Sequence, residues 1–190
     1  MAILEALKMP STLVNFLGAP GVGKSTSSAY IYSRLKSIPI NCEEVKEYIK
    51  LWTYDGRKND DYSQIYIMAQ QIRAESLLLN KVEYICTDSP VLLSMYYSRF
   101  SPPVLRDNIN SMVKAYYKQL NLDGHKVVNI FLNRSKPYLA VGRWQTAEES
   151  DIMHNEIYNM LTDLDVDFYM YDTDRESLDV LYFQLLNNVL

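Results

Sequence analysis

Nine consecutive residues, Gly18-Ala19-Pro20-Gly21-Val22-Gly23-Lys24-Ser25-Thr26, carry the strongest chemical signal in the chain. They fit the pattern G-x-x-x-x-G-K-[ST], with an apolar run before them and a helix-forming stretch after. Glycines permit backbone angles that turn successive N–H groups inward, making a nest for phosphate oxygens. A helix beginning near Lys24 aims the positive end of its dipole at the same place. Lys24 can reach the β- and γ-phosphates of a nucleoside triphosphate, and the Ser25 hydroxyl can ligate Mg²⁺. Gly18, Ala19, Gly21, Val22, Gly23 and Thr26 supply the rest of the cradle. The loop therefore predicts a nucleoside triphosphate site with Mg²⁺.

Such a loop serves switches, motors and kinases alike, and three other places narrow the choice. Thr87-Asp88-Ser89-Pro90 closes an apolar run and puts a carboxylate at a strand end. Ligands of open α/β sheets sit at that edge. Asp88 can there hold Mg²⁺ through water or accept a proton from an attacking hydroxyl. Capping a helix that Pro90 opens is the structural alternative. Glu43-Glu44-Val-Lys-Glu47 follows another short apolar run, and Glu43, ahead of Glu47, is the candidate there for meeting an acceptor or acting as base. Acidic residues in a first helical turn are also simply stabilising. The third place is the polar, basic stretch 134–146, of a length that can close over a site as a lid. Its Arg143, beside Gly142, and its Arg134 can neutralise charge on a transferred phosphoryl group. Solvent-exposed arginines are the alternative for both.

These residues need a scaffold, and hydrophobic periodicity supplies one. Residues 12–17, 38–42, 82–87, 126–132 and 167–171 read as short, continuously apolar strands. Helices are expected over 24–36, from 43 or 44, over 62–80, from Pro103, after Thr146 and over 175–190. Thr146 and Glu149 fit a capping box. Buried strands separated by helices predict an α/β, doubly wound, five-stranded parallel sheet with helices on both faces. All 190 residues fit one domain carrying the lid.

Taken in order, GAPGVGKST, EEVKEYI, DDYSQIYIMAQQ, YICTDSP and KPYLAVGRWQTAEE resemble the P-loop kinase superfamily. The likeness is to the nicotinamide-riboside kinase-like ATPases and the small phage-type nucleotide kinases, and it covers most of the chain. It implies ATP·Mg²⁺ as phosphoryl donor, a strand-end carboxylate near the acceptor and lid arginines. Gly18, Gly23, Lys24 and Ser25 carry over first, then Asp88 and Arg143, then Glu43. The Asp-Arg pair that thymidylate and deoxynucleoside kinases tend to show near the acceptor is absent, since Ser89 follows Asp88. The expected function is transfer of the γ-phosphoryl group to a hydroxyl of a nucleoside, a nucleotide or a nucleotide unit in DNA. The alternative is an ATP-gated switch or stand-alone NTPase.

Composition bounds the remaining choices. At 48% apolar and 22% charged, the chain is neither disordered nor fibrous. No run approaches the roughly 20 apolar residues of a membrane helix, and the first residues make a poor signal peptide, so a soluble cytoplasmic protein with no membrane partner is expected. Cys42 and Cys86 read as buried, reduced thiols. His125 reads as a turn residue and His154 as the exposed side of a helix, and no Cys/His cluster suggests a metal centre. Tyr54 and Tyr62 flank a polar stretch that can bind an acceptor, although a plain surface loop is the commoner case. The net charge of −4 hides an asymmetry: residues 99–143 carry +6 and residues 144–190 carry −10. The basic segment suggests that an anionic ligand is handled there, or else that a helix face is merely solvated.

Overall fold

Apolar side chains on both faces of Thr12–Leu17 (β1) hold that strand in the middle of a sheet rather than on its rim. The computed structural model of the protein describes residues 9–56, 60–139 and 145–190. After β1 come α1 (Lys24–Lys36), β2 (Cys42–Val45), α2 (Lys50–Tyr54), α3 (Ser63–Ser76) and β3 (Tyr84–Thr87). Next are α4 (Leu93–Tyr97), a 3-10 turn at Ser98–Phe100, α5 (Pro103–Leu122), β4 (Lys126–Asn133), α6 (Ala147–Asp163), β5 (Tyr169–Asp172) and α7 (Arg175–Leu186). The five strands lie in the order β2-β3-β1-β4-β5, and every pairing is parallel. This is the α/β doubly wound sheet that the periodicity predicts.

Alternate side chains of the central strands serve two different helical layers. Val14, Phe16, Cys86 and Ile130 pack on Ile31 and Leu35 of α1 and on Leu178 and Leu181 of α7. Leu17 and Phe131 face the other way, onto Leu93 of α4, Val113 of α5 and Ile157 of α6. Both cysteines are free and buried, and burial pushes the Cys86 thiol well above its ordinary value. With both faces covered, only the strand ends are open to a ligand. β1 has β3 on one side and β4 on the other, so the chain reverses direction across the sheet at the end of β1, the usual ligand crevice of such sheets.

Several boundaries differ from the sequence expectation. The second strand is Cys42–Val45, not 38–42, so Glu43 and Glu44 lie within a strand and no helix starts there. Residues 38 and 40 are instead bridged by a tight turn, the Ile40 N–H donating to the Ile38 carbonyl, with both side chains packed on the α1–α7 layer. An edge strand tolerates carboxylates because one side of it meets solvent and basic neighbours. α3 ends at Ser76, and the chain then turns through Asn80, whose φ is 62° and whose N–H donates to Ser11 Oγ. The helix that Pro90 opens in the sequence alternative appears as the five-residue α4, beginning at Leu93, whereas the 3-10 turn after it has no counterpart; five residues are too few for a helical period to register. On α5, Ile109, Val113 and Leu120 are buried as expected, whereas Met112 is 53% exposed.

Candidate active site

The loop after β1 has the shape its glycines allow. Gly18, Gly21 and Gly23 take φ of 132°, 82° and 114°, all in the left-handed region that side chains resist. Space is tight as well: a Cβ on Gly23 would lie 3.1 Å from Thr173 Cγ2, and one on Gly18 3.0 Å from Val22 Cγ1, so each neighbour would have to give by a few tenths of an ångström. Gly23 caps α1 without a side-chain hydrogen bond, and the first turn of α1 carries no acidic residue. The first N–H groups of α1 and its dipole are therefore directed at the cleft with no carboxylate competing for them. Lys24 Nζ folds over the loop and donates to the carbonyls of Gly18 (2.8 Å) and Ala19 (3.0 Å). Ser25 and Thr26 are exposed at the cleft, while Ala19 and Val22 are buried beneath it as loop supports. Thr173, just past β5, also ties in the start of the 134–146 segment: its Oγ1 accepts from the Ser135 N–H at 3.1 Å.

The carboxylates divide differently from the sequence expectation. Glu43 is not brought to the site. It sits on edge strand β2 with its Oε1 2.9 Å from Lys36 Nζ, and both side chains are well exposed. Glu44 accepts from Ser28 Oγ at 3.0 Å. Glu47 takes the place expected of Glu43: it lies two residues past β2 and lines the cleft together with Lys24. Asp88, just past β3, is 5% exposed and accepts a hydrogen bond from the Glu47 backbone N–H at 2.9 Å through Oδ1. It thus anchors the Glu47 turn and does not cap a helix through that oxygen. Burial pushes the Glu47 carboxyl above its ordinary value; Lys24 pulls it back, the Asp88 charge raises it, and Lys50 opposes. The signal that points to Glu47 is the strand boundary: β2 ends at Val45, opposite Thr87 at the end of β3, so Glu47 lies two residues past one strand end and Asp88 one residue past its neighbour's.

On the other side of the loop, the chain leaves β4 through Arg134. Its Nη2 donates to Ser150 Oγ (2.7 Å), its Nη1 meets Asp151 Oδ1 (3.1 Å), and its guanidinium lies over the Tyr138 ring. Ser150, fully buried on α6, passes the contact on by donating to the Pro20 carbonyl of the phosphate loop at 2.7 Å. Arg134 thus buttresses the loop through Ser150. The capping box is present, with Thr146 and Glu149 exchanging hydrogen bonds at 2.8 and 3.1 Å. Arg143 and Gly142 lie outside the described residues. His154, expected on the exposed side of α6, instead packs against Phe131, with ring centroids 4.6 Å apart and ring planes tilted by 43°. Burial lowers its pKa, and the nearby Arg134 charge lowers it further. His125 is buried, its Nδ1 accepting from the Ser11 N–H at 3.0 Å. Among the described residues no group of His, Cys, Asp and Glu is arranged to hold a metal by itself.

A cleft of about 1110 Å³ joins these parts. The phosphate loop forms one end; α3, α4, the 3-10 turn and α6 form the rest, with Ile67, Leu93, Tyr97 and Met153 among the apolar walls. Tyr54, Asp60 and Asp61 line it too, so both ends of the polar stretch near residue 57 face the cleft. Behind its floor is a polar cluster that periodicity alone hides. Gln71 and Glu75 sit one turn apart on α3, at positions that the stripe of Ile67 and Met68 would give to apolar residues. Gln71 Nε2 donates to Thr87 Oγ1 (3.1 Å) and to Glu75 Oε1 (3.3 Å), and Tyr116 donates to Glu75 Oε2 (2.9 Å). Burial pushes the Glu75 carboxyl up to about 7 against the lowering effect of these donors.

The basic segment read from the sequence is not one patch. Arg99 lines the cleft, whereas Lys126 opens β4 at the opposite edge of the sheet. Arg106, Lys114 and Lys118 are exposed along α5, and among the described residues no helix is long and apolar enough to cross a membrane.

No protein-family model matches the sequence, and no curated protein sequence matches it. Solved structures do resemble it. The NadR protein in complex with NR aligns with a TM-score of 0.64 at 16% identity, over 87% of this chain and 46% of that one. Thymidylate kinase from Ehrlichia chaffeensis aligns with a TM-score of 0.60 at 14% identity, over 96% of this chain and 100% of that one. Deoxyadenosine kinase from M. mycoides with bound dATP gives 0.57 at 20% identity, over 92% and 99%. The chain spans about half the length of the NadR chains it resembles. The likeness is one of fold: the chain shares its five-stranded parallel α/β architecture with these structures, a thymidylate kinase and a deoxyadenosine kinase among them.

Proposed function

We propose that the protein is an ATP-dependent phosphotransferase that moves a γ-phosphoryl group to a hydroxyl of a nucleoside, a nucleotide or a nucleotide unit in DNA. The observation that carries this reading is that Lys24 of the phosphate loop and the half-buried Glu47 line one cleft. A phosphate cradle next to a proton acceptor is what phosphoryl transfer to a hydroxyl needs. The neighbours of the same fold support the reaction class, since they include a thymidylate kinase and a deoxyadenosine kinase.

The residues present fit ATP·Mg²⁺: three left-handed glycines, an uncapped helix start free of acidic residues, and an exposed Ser25. Backbone N–H groups of the loop would hold the β-phosphate and Lys24 would bridge to the γ-phosphate, leaving its carbonyl partners. Ser25 would hold Mg²⁺, with Asp88 behind it. When bound, the metal neutralises charge on the phosphates and fixes their orientation. Glu47 orients the acceptor hydroxyl and takes its proton, and its elevated pKa suits a base that must also release that proton. Arg134 holds the loop through Ser150, and Arg143 would supply the charge neutralisation that the sequence assigns to it. Most of the catalytic effect is positioning and charge stabilisation.

The test is ADP release from ATP·Mg²⁺, measured alone and against nucleosides, nucleoside monophosphates and oligonucleotides with normal and hydroxymethylated bases. A sharp rise with one class of acceptor is expected. A slow rate indifferent to every acceptor, with ATP still bound, would overturn the proposal in favour of a switch. Lys24→Ala should lower acceptor-dependent turnover on the order of a hundred- to a thousandfold. Its circular dichroism spectrum should be unchanged, and undiminished activity would refute the assignment of the loop.

A further inference from the structure

The acceptor end of the cleft has a charge pattern that bears on which acceptor it takes. Among the described residues lining the cleft, the cations are Lys24, Lys50 and Arg99. The carboxylates are Glu47, Asp60, Asp61, Glu149 and Glu156. Lys24 belongs to the phosphate loop and so to the donor. Lys50 acts on the Glu47 carboxyl, lowering its pKa, and so is part of that carboxylate's surroundings.

Arg99 is the cation at the far end, and its charge is already engaged. Its Nη1 is ion-paired to Glu156 Oε2, which also accepts from Tyr96 Oη at 2.6 Å. The guanidinium lies over the rings of Tyr96 (4.1 Å) and Phe100 (4.7 Å). These contacts engage Nη1 and the flat surface of the guanidinium. The hydrogen bond from Tyr96, and then Arg99, also hold the Glu156 carboxyl below its ordinary value, so it stays ionised beside Arg99 at neutral pH. A phosphate on the acceptor would therefore enter a wall rich in carboxylates whose far-end cation has its counter-ion built in. The rest of that wall suits an uncharged ring system: apolar faces from Ile67, Leu93 and Tyr97, and neutral hydrogen-bonding groups from Gln64 and Ser94.

Resting on the phosphotransfer reading above, we propose that the acceptor is an unphosphorylated nucleoside, and that the Glu156–Arg99 pair is the element that selects against acceptors already carrying a phosphate. Like charges left facing one another in a binding site are a common source of such discrimination. The scattering of the basic segment fits, because Arg106, Lys114 and Lys118 are exposed along α5 and Lys126 opens β4, and none of these four lines the cleft.

The experiment compares each nucleoside with its own 5′-monophosphate as acceptor, in wild type and in Glu156→Gln, with ATP·Mg²⁺ binding measured separately. In wild type, kcat/KM should favour the nucleoside by roughly tenfold or more. Glu156→Gln leaves Arg99 without its counter-ion and should narrow that ratio by about threefold or more, chiefly through KM for the monophosphate. Adding Arg99→Gln should return the ratio to its wild-type value. Monophosphates or oligonucleotides used as well as nucleosides by the wild type would overturn the inference while leaving the phosphotransfer reading intact. A ratio unmoved by Glu156→Gln would overturn the role of the pair. ATP bound with no acceptor used at all would overturn the phosphotransfer reading and this inference together.

Discussion

Glu47 owes its chemistry to where the chain turns after β2. Its backbone N–H is held by Asp88 at 2.9 Å, and its side chain is turned into the cleft beside Lys24. Burial raises its pKa, and a base acts only when ionised, so activity should rise with pH through an acid limb lying above the ordinary glutamate range of about 4.3. Glu47→Gln has no such group. It should lower kcat on the order of a hundred- to ten-thousandfold and leave the residual rate flat across that limb. A variant that loses activity but keeps the wild-type acid limb would assign the limb to another group. Asp88→Asn should instead weaken Mg²⁺ dependence and loosen the Glu47 turn, moving KM for Mg²⁺ as well as kcat.

At the scale of elements, the phosphate loop is shaped from within by its glycines and held from outside by α6. Ser150 is fully buried and bridges Arg134 at the end of β4 to the Pro20 carbonyl, with both hydrogen bonds 2.7 Å long. The bridge fixes the loop to the two points where the chain enters and leaves segment 134–146. Ser150→Ala removes it and leaves the Pro20 carbonyl without that donor. The expected loss of stability is about 1–3 kcal/mol. KM for ATP should rise by about fivefold with a smaller change in kcat, since the loop is loosened and no reacting group is removed. A drop in kcat at unchanged KM would instead put Ser150 in the transition state. None of this bridge was legible from the sequence, where Ser150 is one polar residue among helix-forming neighbours. The loop itself was, because glycines at fixed spacing before Lys24-Ser25 have few other reasons to occur. α1 and the Thr146 capping box were equally plain, their signals being local. Glu43 and Glu47 were exchanged because which of them reaches the cleft depends on the register of an edge strand. That register is set by the pairing of Cys42–Val45 with β3, a contact between residues about 40 apart. Gln71 and Glu75 were hidden for a similar reason: their partners, Thr87 and Tyr116, lie on other elements.

For the molecule as a whole, the buried carboxyl of Glu75 makes stability depend on pH in a particular direction. Its pKa is raised from 4.5 to about 7 in the folded protein, chiefly by burial, while the unfolded chain keeps the ordinary value. Between those two values the native state binds more protons than the unfolded state, so stability falls as pH rises. The contribution is fully present below about pH 4.5 and gone once the pH passes well above 7. A difference of this size corresponds to a fall on the order of 3 kcal/mol. The exposed carboxylates with depressed values, Asp60, Glu156 and Asp179, act the other way and at lower pH. Hydrogen bonds from Ser63, Tyr96 and Tyr30 respectively stabilise their charged forms, and that contribution is lost as pH falls below their ordinary carboxylate values. The two effects occupy different windows and can be separated. Glu75→Gln fits the same space, can still accept from Tyr116 or Gln71, and does not titrate. Urea unfolding at pH 5, 6 and 8 should show wild-type midpoints declining with pH and Glu75→Gln midpoints nearly level, with m unchanged in both. The variant should therefore be the more stable of the two at pH 8 relative to its standing at pH 5. Parallel curves would show that Glu75 titrates in the folded protein as it does in the unfolded chain, and that Gln71 and Tyr116 offset its burial in full.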